Sequence, residues 1–494
     1  MKFGFDNELY TKRQTEEILR RIEETGSRLY LEFGGKLFDD CHASRVLPGF
    51  DVNAKVKILQ KLKDKAEIII AINARDLEKN KIRADYGINY GSDVLRLIDN
   101  LRALDIYINS VVITQYEGQA QADIYKKKLE RRGEKVYIHT KTKGYPTDID
   151  TIISDEGYGK NPYIPTTRPL VVVTAPGPGS GKLATCLCQL YHEYKLGNKV
   201  GYAKFETFPI WNIPLKHPVN VAYEAATADL KDVNMIDHFH LEAYGSMSVN
   251  YNRDIEVFPV VKAILSKIMN KEPYKSPTDM GVNMAGYAIV DDNAVQDAAK
   301  QEVLRRYYKA CCDYKQGLSD IGAKEKIELL MSDLGITIAD RKVVQASLDK
   351  SCALGGVPAI AVELHNGKIV TGKQTEILSA AASVVLNAVK TLAKIDDEID
   401  LISPIVLEPI LQLKKDSLHE HKRVLSLREV LIALSICAAT SPVAKLAISK
   451  LKLLDRCEAH STVMLSKDDE SVLKKLNVYI STEAEFESNN LFSE

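Results

Sequence analysis

The strongest constraint on this chain lies in residues 1–225, where short apolar runs alternate with helical patterns. The apolar runs are LYLEF from Leu29, EIIIAIN from Glu67, VVIT from Val111, VYIHT from Val136, LVVVT from Leu170 and VGYAKFE from Val200. EIIIAIN and LVVVT are apolar at nearly every position rather than at every second one. That is the pattern of a parallel strand covered on both faces. Between the runs lie helical stretches: one from Thr11, with Thr11 and Gln14 as a capping box and Gly26 as its stop, others from Asn53 and Ser92, one ending at Gly133, and KLATCLCQLYHEYKLG from Lys182. Strand–helix alternation at this spacing predicts an α/β fold with a parallel, doubly wound sheet.

The texture changes after about Asn250. A long helical pattern starts near Asp291, and AKEKIELLMSDLG and IADRKVVQASLDK are two shorter ones. IAVELHNGKIVTG carries Asn366-Gly367, a two-residue hairpin signal between alternating strands. Buried helices are expected from Thr375, Ser426 and Ser441, and STVMLS, a short helix and VYIST close a small mixed unit. The expected division is a parallel α/β domain over 1–250, a mainly helical region over 251–355 and a mixed α/β domain over 356–494.

Charge and cysteine usage narrow the function classes. The 494 residues carry 66 Lys+Arg against 67 Asp+Glu, a formal net charge of −1. Such a balance gives no whole-molecule attraction to nucleic acid or to an anionic membrane, so neither is an expected partner. The most apolar stretches, from Leu378 and from Val430, are shorter than the roughly 20 residues a bilayer span needs. The start turns charged within a few residues and lacks the apolar core of a signal peptide. The eight cysteines contain no CxxC pair and read as free thiols of a reducing cytoplasm.

The stretch with most chemical content is LVVVTAPGPGSGKLATCL, an apolar strand, a glycine-rich loop and a helix opened by lysine. This is the layout of a phosphate-binding loop, in which glycines admit positive φ and backbone N–H groups surround an anion. The candidate phosphate-binding residues are Gly177, Pro178, Gly179, Ser180, Gly181, Lys182 and Thr185. Two departures from GxxxxGK[ST] stand out. Pro176 replaces the first glycine, and Leu183 stands where Ser or Thr would hold Mg²⁺. Thr185, about 300° further round the helix than Lys182, does not occupy the same direction. ATP with Mg²⁺ is the cofactor set such a loop would take, and these departures place it in question.

Lys204 and Glu206 follow at the carboxyl end of the next strand, the edge where parallel sheets bind ligands. The loop followed by VGYAK resembles dethiobiotin synthetase and related P-loop amidoligases. That resemblance implies that Lys204 helps to hold phosphate and a substrate carboxylate. The first strand is followed by KLFDDCHASR, whose Asp39, His42 and Arg45 would position a carboxylate or phosphate, or simply form a polar loop. Asp76, Glu224, Asp229 and Asp237 are weaker candidates for an acidic partner. His238, His240 and Glu242, read as one face of a strand, and His419 with His421 are incomplete metal sets. Cys457 and His460 are near neighbours in sequence without being a dyad.

A wider resemblance covers nearly the whole chain. FGGKLFDDCHASRVLPGF, VTAPGPGSGK, HPVNVAYEAATADL, VNYNRDIEVFP and SPTDMGVNMAG resemble a bacterial family of uncharacterised cytoplasmic proteins, known as a domain of unknown function. The resemblance implies a multidomain α/β protein and no particular activity. Three readings stay open: an ATP-dependent ligase or phosphotransferase with a small phosphorylated ligand, a regulatory binder of a phosphorylated metabolite or nucleotide without turnover, and a structural homo-oligomer with a vestigial loop.

Overall fold

The computed structural model describes residues 3–83, 87–230, 232–420 and 424–488, which leaves His421 outside. The chain forms two compact units, one of residues 2–227 with 231–299 and one of 228–230 with 300–494.

In the first unit the apolar runs become one parallel sheet. Its strands are β1 (Arg28–Phe33), β2 (Ala66–Asn73), β3 (Ile108–Tyr116), β4 (Val136–Thr140), β5 (Leu170–Thr174), β6 (Val200–Phe205) and β7 (Gly281–Val282). Among the described residues the order is β7-β6-β1-β5-β2-β3-β4, and every pairing is parallel. β2 and β5 are buried at every position, as their unbroken apolar sequence requires. The chain leaves β1 toward β2 on one side and leaves β5 toward β6 on the other. Right-handed crossovers running in opposite directions cover opposite faces of a sheet. The order therefore reverses between β1 and β5, and the loops that follow these two strands diverge from a common crevice.

Four helices matter for that crevice: α1 (Asn7–Thr25), α2 (Tyr90–Ala103), α3 (Lys182–Lys195) and α4 (Asn252–Met269). α1 begins earlier than the sequence signal. Asp6 caps it by accepting from Leu9 N, whereas Gln14 lies buried and bonds Val282 O and Met284 N. Gly26 ends it in the left-handed conformation, as expected. α3 and α4 cover one face of the sheet, where Cys186, Leu187, Leu190, Phe258, Val261 and Ile264 meet Tyr30, Val171, Val173 and Tyr202.

The second unit is built on β8 (Ala359–Glu363), β9 (Ile369–Lys373), β10 (Glu458–Ser461) and β11 (Tyr479–Thr482), in the order β9-β8-β10-β11. β8 and β9 form the hairpin that Asn366-Gly367 announces. The apolar stretches from Leu378 and Val430 are the helices Ala380–Ala393 and Leu427–Cys437, packed on Ile360, Val362 and Ala459. Gly372 permits this packing, since a Cβ there would stand 2.2 Å from Val384 N. The strand read from STVMLS lies earlier, at Glu458–Ser461, where it pairs with β8. No helix among the described residues is long and apolar enough to cross a membrane.

Candidate functional site

The loop after β5 runs from Ala175 to Gly181, and α3 starts at Lys182. Gly179 and Gly181 have φ of 73° and 83°. Gly177 answers to space rather than to φ: a Cβ there would lie 2.3 Å from the Tyr90 hydroxyl at the start of α2. Gly181 meets both constraints, with Thr114 Oγ1 2.8 Å from the position of its missing Cβ.

Three carbonyls of the turn are claimed by side chains. Asn73 Nδ2, at the end of β2, donates to Gly179 O at 3.0 Å. Thr114 Oγ1, on β3, donates to Ser180 O at 2.7 Å. Ser180 Oγ donates to Gly177 O at 2.8 Å. The N–H groups of Gly179, Ser180, Gly181 and Lys182 meet no protein acceptor among the described residues. The turn thus points its carbonyls into the sheet and its amides away from it, at the positive end of a fourteen-residue helix. Lys182 is half-buried and makes no ion pair among the described residues. Thr185 is buried, and its hydroxyl returns to Gly181 O at 2.9 Å within the helix. Leu183 packs against the core beneath α3, and Pro178 is exposed.

A charged cluster stands at the ends of β1 and β6. Lys204 Nζ lies 2.6 Å from Glu206 Oε1 and pairs with Asp254 in the first turn of α4. Glu32, opposite Lys204 in the β1–β6 register, accepts from Tyr202 Oη at 2.9 Å. Burial pushes the Lys204 ammonium down, but Asp254 and Glu206 outweigh this and raise it above its ordinary value. Burial drives Glu206 the other way. Even with Lys204 beside it, the neighbouring Asp254 and Glu32 charges help hold its carboxyl up at about 7.

The loop after β1 supplies the remaining candidates. Asp39 lies 3.7 Å from Arg96 of α2. His42 sets its ring edge-on to Phe208 and Tyr223, centroids 5.5 and 5.3 Å away. Arg45 is half-buried in the last turn of the short helix Cys41–Val46. Asp40 caps that helix and pairs with buried Lys55 at 3.1 Å. Burial pushes Asp40 up, yet the Lys55 ammonium outweighs it and holds the carboxyl below its usual value. The structure therefore brings the β1 and β5 loops to one crevice, with the Lys204 cluster one strand beyond β1.

The weaker candidates resolve into structural roles. His238, His240 and Glu242 lie on a helix, His238–Tyr244, not a strand, because Asp237 caps it through His240 N. Asp237 also accepts from Thr278 N and Oγ1. Glu224 accepts from Asn234 N, Asp76 pairs with Lys81, and Asp229 is exposed. Cys457 stands beside His365 rather than His460, and burial pushes its thiol up to about 12. The residues that sequence reasoning missed are Thr114, Tyr90 and Asp254. Asn73 stood in the sequence only as the last residue of the EIIIAIN run.

Comparison with known proteins now bears on this arrangement. The family described as "Domain of unknown function DUF1846, N-terminal" matches residues 3–335, and its C-terminal counterpart matches 339–492. The chain belongs to the DUF1846 family. Two relatives called UPF0371 protein, from Clostridium botulinum (strain Eklund 17B / Type B) and Clostridium tetani (strain Massachusetts / E88), are each 56% identical over 500 residues. Each comparison covers 100% of this chain and 99% of the relative. The N-terminal family match holds the whole seven-stranded sheet, both crevice loops and the Lys204 cluster.

Proposed function

We propose that this protein binds a small phosphorylated ligand, a nucleotide or a phosphorylated metabolite, at the turn 175–182. One observation carries the reading: the turn's carbonyls are bonded inward by Asn73, Thr114 and Ser180, so that a run of amides and the Lys182 ammonium are left for an external anion. Its place at the reversal of strand order supports the same reading, because ligands of open parallel sheets gather there. In an enzyme of this kind Lys204 and Glu206 serve transfer of a phosphoryl group or activation of a carboxylate, with Asp39, His42 and Arg45 on the facing loop. The likeness of VGYAK to the P-loop amidoligases belongs to this reading.

A specific observation favours a second reading, binding without turnover. Leu183 is packed on the core and the Thr185 hydroxyl is committed to Gly181 O, so the hydroxyl that would hold Mg²⁺ in a standard loop has no counterpart. Calorimetry with inorganic phosphate, AMP and ATP, paired with phosphorus NMR of the ATP mixture, tests both. Saturable phosphate or nucleotide binding that Lys182→Ala weakens supports the site. With a mixture of carboxylate and hydroxyl acceptors added to the ATP, formation of ADP, phosphate or AMP selects the enzyme, and intact ATP selects the binder. Binding that is equal in parent and variant, or no binding at all, removes the proposal.

A further inference from the structure

Two exposed segments of opposite charge have no ionic partner among the described residues. The first, residues 127–135 of the first unit, is the end of the helix Ala120–Glu130 and the turn into β4. Lys127, Lys128, Arg131, Arg132 and Lys135 are all exposed, and none forms an ion pair or a side-chain hydrogen bond among the described residues. The two acids of the segment do not offset them, because Glu130 pairs with Lys126 at 3.5 Å and Glu134 with Arg102 at 2.8 Å. The helix dipole accounts for Lys127 and Lys128 in the last turn, but not for Arg132 and Lys135 beyond the helix. Ile124, Lys127, Lys128 and Arg131 follow the i, i+3, i+4, i+7 spacing of one helix face, and Ile124 is 58% exposed.

The second segment is the loop 396–400 of the second unit, between the helices Ala380–Ala393 and Pro404–Gln412. Asp396, Asp397, Glu398 and Asp400 are exposed, and none forms an ion pair among the described residues. The Asp396 carboxylate accepts from Glu398 N at 3.1 Å, and Lys390 Nζ reaches the Asp397 carbonyl, not its carboxylate, at 2.9 Å. Ile399 stands among these acids, 43% exposed. Each segment thus sets charge of one sign around an exposed isoleucine. A nucleic acid would cover the first segment alone, and a chain of formal net charge −1 has no long-range attraction for one. A copy of the same chain covers both. Its near-zero net charge also removes the repulsion that would keep copies apart.

We infer that the chain self-associates: residues 127–135 of one copy dock on the loop 396–400 of another, with Ile124 and Ile399 supplying apolar area inside a charged rim. The contact needs the whole row of charges, because a single exposed ion pair contributes little. Sedimentation equilibrium of the full-length chain over a concentration series tests it, at about 0.05 M and about 0.5 M salt. The expected result is reversible association whose dissociation constant rises roughly tenfold or more between the two salts. The triple reversal Lys127→Glu, Lys128→Glu, Arg131→Glu should leave the chain monomeric, and so should Asp397→Lys, Glu398→Lys, Asp400→Lys. Mixing the two triple variants should restore association, since each then offers the charge that the other lacks. All six positions are exposed, and restoration on mixing shows in the same step that both variants are folded. A chain that is monomeric at both salts overturns the proposal. So does association that salt and both reversals leave unchanged, or its loss in both variants without recovery on mixing. A single-stranded RNA oligomer is titrated alongside by fluorescence anisotropy. Binding of that RNA by a monomeric chain, abolished by the lysine and arginine reversal, would give the basic segment to nucleic acid and also overturn the second copy.

Discussion

Two buried charged clusters in this chain follow opposite rules. In the second unit Arg341 is fully buried, and each of its five N–H groups has an acceptor: Ser481 Oγ, Gln301 Oε1, Glu458 Oε2, Ala459 O and Tyr479 O. Arg305 closes the same network with a two-pronged contact to Glu458 at 2.6 and 2.7 Å and a bond to Glu302. In the first unit the turn 175–182 has the carbonyls of Gly177, Gly179 and Ser180 bonded by side chains and a run of amides left open, and Lys204 is shared between Glu206 and Asp254. A closed network holds strands in register. An open one leaves capacity that folding does not use, and that capacity is where binding is expected.

The largest effect should come from breaking the closed cluster. Arg341→Met removes a cation and five hydrogen bonds and leaves the half-buried Glu458 with Arg305 alone. Loss of one partner of a buried pair costs about 3–5 kcal/mol. Equilibrium denaturation should show the variant unfolding at clearly lower denaturant, while calorimetry shows unchanged phosphate affinity. An unshifted transition would mean that the network adds nothing to stability, and the contrast would fail.

Next in size is Lys182→Ala, which removes a charge-assisted contact to the ligand worth about 1.5–3 kcal/mol, or roughly ten- to a hundred-fold in affinity. The melting temperature without ligand should stay where it is, because Lys182 makes no ion pair among the described residues. A fall in melting temperature with equal affinity would place Lys182 with the structural residues instead.

The same contrast explains what was legible in the sequence. The strands β2 and β5 could be read directly, because burial on both faces writes itself as an unbroken apolar run. The phosphate turn was legible because strand, glycines, lysine and helix fall within one window. The groups that aim it were not. Asn73 and Thr114 lie 106 and 66 residues from the carbonyls they bond, and Asp254 lies 50 residues from Lys204. Only the strand order, which is a long-range property, brings them together. The helix at His238, expected as a strand, carries a local signal in Asp237, which acts as an N-cap three residues before the amide it bonds rather than as an acidic partner.

A pH titration sharpens the open side of the comparison. Glu206 faces Lys204 on its own strand, Glu32 from β1, Asp254 from α4, and Tyr223 and Tyr251. Its folded value of about 7 lies above the ordinary 4.5, so between these values the native state binds more protons than the unfolded chain. Stability from this group is full below about 4.5 and is lost as pH rises through about 7. Glu206→Gln cannot titrate. Its stability relative to the parent should therefore improve between about pH 5 and pH 7.5, by on the order of 1–2 kcal/mol. Paired denaturation curves across that range check it, and a pH-independent difference would show that Glu206 is already ionised in the folded protein.

The smallest effect sets two glycines with the same strain against each other. Gly179 in the phosphate turn has φ 73° and Gly367 in the β8–β9 hairpin has φ 81°, and a Cβ at either would meet nothing within 4 Å. Alanine at each position is thus strained by backbone conformation alone, at a cost of about 1 kcal/mol. Equal losses of stability are expected from Gly179→Ala and Gly367→Ala. Their effects on phosphate should differ. Relief of the strain at position 179 swings the amides that the Asn73 and Thr114 bonds aim outward, so Gly179→Ala should weaken phosphate several-fold, whereas Gly367→Ala belongs to a turn with no part in the site. Calorimetry with inorganic phosphate on both variants reads the difference. If Gly367→Ala lowered the affinity as much as Gly179→Ala, the loss would reflect general stability, and the outward amides of the turn would not be the binding element.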